Sequence, residues 1–221
     1  MSSLQTSPQD VAVMPHAETL HKQLERMRAM LYKYSDLFYK LIVVGIIMII
    51  LMAVAGMTET LRATVLMIPF FTIYIGVQSA YFLTYVIFAR VYATGIEKRL
   101  NRHMQDDVLI AHRIEAEYLF PLRGPQFAGV PARFGQTFIG FLTIHFWLLG
   151  AGVIALSAYR AWQLLPALAG EFPPVRYYFI LLGAWSVLHL VYLVWYFGAR
   201  RYERRIMEVV AGAYGITYHD A

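Results

Sequence analysis

Long apolar runs alternate along this chain with stretches in which apolar residues recur at 4-3-4 spacing among charges. A bilayer crossing takes about 20 predominantly apolar residues. Four runs meet that length, at roughly 37–56 (LFYKLIVVGIIMIILMAVAG), 62–92, 137–158 and 177–198. A tight turn over 57–61 joins the first two runs. An interfacial loop over 159–176, with Trp162 as its aromatic anchor, joins the second two. The runs therefore pair into two hairpins. Pro69 lies about one turn inside the second run and predicts a kink there. That run exceeds one membrane thickness, so it must tilt or project from the bilayer.

Outside the runs the period becomes helical. Leu20, Leu24, Met27 and Leu31 form one narrow stripe, and Tyr202, Ile206, Val209 and Ala213 form another. The longest such stretch is Thr94–Leu119, between the two hairpins. On a continuous helix, Ile96, Leu100, Met104, Val108, Ala111, Ile114 and Tyr118 share one face. Lys98, Arg102, Gln105, Asp106 and Arg113 share the other. Thr94 followed by Glu97 fits a capping box, so the spacing predicts a helix starting at Thr94. Within it Leu100, Met104, Asp107, Ala111, Ile114 and Tyr118 read as a coiled-coil-like assembly seam. A carboxylate in such a seam, here Asp107, fixes register or meets a basic neighbour, with Arg28 and Arg205 as candidates. Pro121, Gly124, Pro125, Gly129, Pro131 and Gly135 make Phe120–Gln136 a loop, with Phe120, Phe127 and Phe134 dipping towards the headgroups.

The expected organisation is an all-α, polytopic membrane protein with four transmembrane helices in two hairpins and amphipathic cytoplasmic helical extensions. Its segments are a disordered tail (1–17), a cytoplasmic amphipathic helix (18–36), a first hairpin (37–92), a cytoplasmic helix and Gly/Pro loop (93–136), a second hairpin (137–198), and a C-terminal helix and tail (199–221). Composition agrees, since 59% of residues are hydrophobic and only 15% charged, against about 25% charged in soluble domains. A net charge of +5 could suggest nucleic acid, but the basic residues cluster beside the apolar runs instead. Of the 19 Lys and Arg, only Arg62, Arg160 and Arg176 fall on one side of the hairpins. By the positive-inside rule both termini and the central segment are cytoplasmic, in the plasma (inner) membrane. The N-terminus has no basic stretch leading into an apolar run, so no cleaved signal peptide is expected. With no cysteine there are no disulfides, thiolate zinc sites or cysteine-ligated iron–sulfur clusters.

His145 and His189 are candidate cofactor ligands. Each lies nine residues from the cytoplasmic end of its run, so both sit ~13 Å deep. Matched imidazoles on neighbouring helices could hold a b-type haem, with Gly140 and Gly183 giving room and Arg133 or Arg200 meeting propionates. The alternative is that each histidine hydrogen-bonds between helices. His103, Asp106, Asp107, His112 and Glu115 are metal-capable, but on one helix the two histidines point about 180° apart and cannot close a tetrahedral site. Thr72, Tyr74, Gln78, Ser79, Tyr81, Thr84 and Tyr85 could line a polar path or bond between helices. Glu59 could sit at a pore mouth or be a solvated turn residue. Ala151, Gly152, Ala155 and Ala158 permit close helix approach.

No carboxylate lies inside the four runs apart from the edge residue Asp36, which weighs against proton-coupled transport. No nucleotide loop, HExxH or GxSxG pattern occurs. The expected function is a non-enzymatic membrane scaffold or accessory subunit, forming a homo-oligomer or a larger membrane complex through its cytoplasmic helices and holding no cofactor. The alternatives are a single-haem electron-transfer subunit and a channel or membrane-disrupting effector.

Overall fold

The computed structural model describes residues 8–115, 126–127, 130–131, 138–197 and 201–218, and side chains over 17–115, 144–196 and 201–218. Tyr118, Phe120, Phe134, Arg133 and Arg200 fall outside these, as do the side chains of Phe127 and Gly140's surroundings. The described chain is dominated by helices: α1 (Pro8–Ala55), α2 (Ile68–Met104), α3 (Ala111–Ile114), α4 (Phe138–Glu171), α5 (Tyr178–Phe197) and α6 (Arg201–Tyr214). A two-residue antiparallel pairing, β1 (Gln126–Phe127) with β2 (Val130–Pro131), lies between α3 and α4. Four helical stretches, over 17–55, 62–104, 144–171 and 173–214, are long and apolar enough to cross a membrane.

α1 begins at Pro8, inside the segment expected to be a disordered tail, and runs without a break into the first apolar run. It lies antiparallel to α2. Gly56 abuts Val65, Gly45 abuts Ile75, Tyr34 stacks on Tyr85 with ring centroids 4.4 Å apart, and Arg28 reaches Glu97. At Gly45 the contact needs the missing side chain, because a Cβ would stand 2.5 Å from Ile75 Cδ1.

Pro69 does not kink the second run. A 3₁₀ segment over Arg62–Met67 precedes it, and α2 starts at Ile68. Proline in a first turn gives up no intrahelical hydrogen bond, so it begins the helix. α2 then passes straight through Thr94 to Met104. The capping box at Thr94 goes unused, because the helix arrives there already formed. Gln105 adopts the left-handed conformation (φ 55°) and stops α2, with the Asp106 amide donating to Asn101 O at 3.2 Å. Residues 105–110 are irregular, and α3 is a single turn. Over the described residues 94–115, the helix expected over Thr94–Leu119 is therefore two pieces joined by a bend.

α4 also outruns its expected end. It continues through Pro166 to Glu171, where a loop from 159 was expected, and Arg62 donates to Glu171 at 2.6 Å. A 3₁₀ turn at Pro173–Tyr177 leads into α5. α4 and α5 meet at this end, where Ala161 and Leu168 pack with Tyr178, Leu182 and Leu66. Elsewhere among the described residues each leans on α2 more than on the other. The two pairs of helices are thus packed differently.

Candidate functional site

The densest packing lies where α1, α2 and α6 run together beyond the apolar spans. On α2 the buried positions Val86, Arg90, Ala93, Glu97 and Leu100 repeat at 4-3-4-3 spacing. That is a core stripe with two charges in it. Leu20 and Met27 of α1 close on Ala93, Ile96 and Leu100. On the other side Met207 of α6 packs with Ile87 and Val91. Gly95 lets α6 approach, since a Cβ there would lie 2.2 Å from Val210 Cγ1 and 2.8 Å from the Tyr218 hydroxyl. Three basic residues of α2 meet the carbonyls at and just past the end of α6. Arg99 donates to Tyr214 O, Arg102 to Gly215 O and Lys98 to Thr217 O. Those carbonyls carry the negative end of the helix dipole, so the pairing is doubly favourable. The Tyr214 hydroxyl lies 3.2 Å from Gln23 Oε1 and 3.0 Å from the Tyr92 hydroxyl, donating to one of them, and the Tyr218 hydroxyl donates to Val91 O.

Both charges in the stripe are paired. Arg90 donates to Glu203 of α6 at 2.9 Å, with both side chains buried. Glu97, 2% exposed, binds two separate segments at once. One oxygen accepts from Arg28 of α1; the other accepts the His112 amide at 2.9 Å and lies 3.0 Å from His112 Nδ1. Arg28 also donates to Glu115. Burial alone would raise the Glu97 carboxyl, but the hydrogen bonds from His112 and Arg28 outweigh it and hold the group below the usual carboxylate range. One turn on, Asn101 clamps Leu109, with Nδ2 donating to its carbonyl and Oδ1 accepting its amide, each at 2.9 Å. The irregular stretch 105–115 is thereby pinned to α1 and α2 by buried polar groups.

This arrangement redistributes the expected seam. Leu100 lies in the core formed within the chain. Met104, Ala111 and Ile114 are exposed. Asp107 is exposed too and bonds Arg113, so neither Arg28 nor Arg205 is its partner. Glu97 is the carboxylate placed in the apolar stripe. His112 turns in to Glu97 while His103 stays exposed, which separates the proposed metal-capable group. Arg28, Arg90, Glu97, Asn101 and Glu203 carry the cluster; of these, Arg28 was expected to meet Asp107 and Glu97 to cap a helix at Thr94, and Arg90, Asn101 and Glu203 were not singled out from sequence. The signal was the seven-residue step from Arg90 to Glu97 in register with Val86, Ala93 and Leu100.

Within the apolar spans, Thr72 donates to Ile68 O and Thr84 to Ala80 O, each inside α2. Tyr81 and Tyr85 share a hydroxyl contact at 3.1 Å. Much of the polar row is thus satisfied locally. Among the described residues no atom lies within 4 Å of a would-be Cβ at Gly152, so the small-residue face of α4 makes no close approach to them there. His145 lies on the exposed side of α4. His189 is half-buried, its ring against Trp185 and its Nδ1 2.7 Å from Trp185 O.

No protein family, curated protein or solved structure matches this chain. The functional reading therefore rests on the molecule itself. Its most informative surface is the outside of the pinned stretch, where Met104 (41% exposed), Val108 (59%), Ile110 (46%) and Ile114 (49%) stand outward. Met104 lies twelve residues past Tyr92 on the same helix, which puts it ~18 Å further along the axis.

Proposed function

We propose that this chain is a non-enzymatic membrane scaffold or accessory subunit, built as two membrane hairpins with both termini and the 93–136 segment cytoplasmic. It assembles, as a homo-oligomer or within a larger membrane complex, through the outer face of the pinned stretch. The observation that carries this reading is the exposed apolar group within 104–115: the Leu109 backbone, His112 and Glu115 turn inward to Asn101, Glu97 and Arg28, while Met104, Val108, Ile110 and Ile114 stand outward beside the exposed Gln105, Asp106, Asp107 and Arg113. Apolar side chains grouped well beyond the lipid-facing spans mark a surface that another protein covers.

Replacing Met104 and Ile114 together by Asp tests it. The detergent-solubilised particle should fall to a smaller mass with its helix content unchanged. A double variant of unchanged mass would remove this face as the assembly surface.

A b-type haem between His145 and His189 is the second reading. A carbonyl only accepts, so His189 Nδ1 donates to Trp185 O, which leaves Nε2 as the ring atom that would meet a metal. Against it stands the separation of α4 and α5, which each lean on α2. Protein purified from haem-supplemented cells decides it: without a Soret band, the reading is withdrawn.

A further inference from the structure

The charges that follow α5 are sorted by the fold. The run ARRYERR holds one acid among its arginines. That acid, Glu203, is turned inward and neutralised by Arg90. Arg201, Arg204 and Arg205 remain on the exposed side of α6. Over its first two turns, α6 thus presents basic charge outward while Glu203 is turned inside the molecule; its second acid, Glu208, is exposed one turn further on.

The depth of this face follows from α5. The helix has 20 residues, about 30 Å, which matches the hydrocarbon thickness of a bilayer. Tyr202 of α6 stacks on Tyr196 at the end of α5, which sets Arg201–Arg205 beside the end of the apolar helix, at the level of the headgroup layer. Aromatic rings mark the same level. Tyr196 of α5 stacks on Tyr202 of α6 at 5.1 Å, and Tyr34 stacks on Tyr85 nearby in the bundle. Tyrosines favour the boundary between hydrocarbon and headgroups.

We propose that the start of α6 is a binding face for anionic phospholipid, with Arg201 and Arg205 taking lipid phosphates on successive turns. The guanidinium fork matches phosphate oxygens in two-point hydrogen bonds, which a lysine ammonium cannot reproduce. The Arg90–Glu203 pair is the positioning device: it holds α6 so that the arginines face lipid and withdraws the acid that lies between them in sequence, leaving Glu208 a turn beyond. The inference rests on the membrane reading but not on the assembly face or on which side is cytoplasmic.

The test titrates full-length protein in mild detergent with phosphatidylglycerol or phosphatidylcholine and counts bound lipids by native mass spectrometry. Wild type should prefer phosphatidylglycerol. Arg201→Gln and Arg205→Gln should each weaken that binding about fivefold, and the pair ~25-fold. Arg201→Lys with Arg205→Lys should recover only part of the loss. Arg160→Gln with Arg176→Gln, at the opposite end of the spans, should leave it unchanged. Equal affinity for the two lipids, an unaffected double-Gln variant, or an equal loss from the distant pair would each overturn the proposal. Failure of the underlying membrane reading shows separately, as release of the protein from membranes by alkaline wash.

Discussion

Where α1, α2 and α6 meet, Ala93, Ile96 and Leu100 are almost wholly enclosed, and two charge networks are enclosed with them. Along α4 and α5, large apolar side chains such as Leu156, Ile180 and Leu188 stand open. The same chain builds a protein-like core at one end and leaves apolar helix faces bare elsewhere. Lipid tails are as apolar as leucine, so no hydrophobic drive closes helices on one another inside the hydrocarbon. Beyond it, water supplies that drive, and three stripes too narrow to be stable alone bury each other. Packing density here follows the solvent.

The sharpest break in that contrast comes from Arg90→Ala. It takes the guanidinium away from the buried Glu203, and losing one partner of a buried pair costs about 3–5 kcal/mol. Thermal unfolding in detergent should fall accordingly, while Arg90→Leu with Glu203→Leu should restore much of the loss. Gly95→Ala should follow, costing about 1–3 kcal/mol as the new methyl meets Val210. Its mark is faster hydrogen exchange in α6 with α4 and α5 unaffected. Asn101→Ala frees the amide and carbonyl of Leu109, a loss of about 1–2 kcal/mol confined to 105–115. Exchange should quicken there alone; spread into α6 would mean that the two networks are one unit. The smallest effect belongs to the open faces: Leu156→Ala should move stability by less than about 0.5 kcal/mol. A large loss there would show that another surface covers α4.

The four apolar runs were legible because lipid imposes a length and a composition that little else produces. The bundle beyond them was half legible. The 4-3-4 stripe around Leu24 does face the packed helices, but the one around Ile206 is displaced, with Met207 and Val210 buried while Val209 and Ala213 face outward, and the stripe through Met104 and Ile114 depended on helical geometry that Gln105 interrupts. A left-handed glutamine followed by Asp106 and Asp107 leaves a weak mark in sequence, since neither Gly nor Pro is present. Thr94 misled for the opposite reason. A capping residue acts only where a helix begins, and nothing between Tyr85 and Thr94 ends α2. Pro69 shows the same dependence on context, serving as a starter once the residues before it are 3₁₀. The ion pairs were hidden because Glu97 made sense locally as a cap partner. Its true partners lie far off in sequence, at Arg28 and His112.

Arg90, Lys98, Arg99 and Arg102 hold one further consequence. During insertion, such residues bias which side of the bilayer a segment settles on. After folding, these same four grip Glu203 and the carbonyls at the end of α6. Under the proposed topology, four of the basic residues that set the orientation also close the bundle. A redesign that trades them for neutral residues to invert the chain in the bilayer would also unfasten the C-terminal helix.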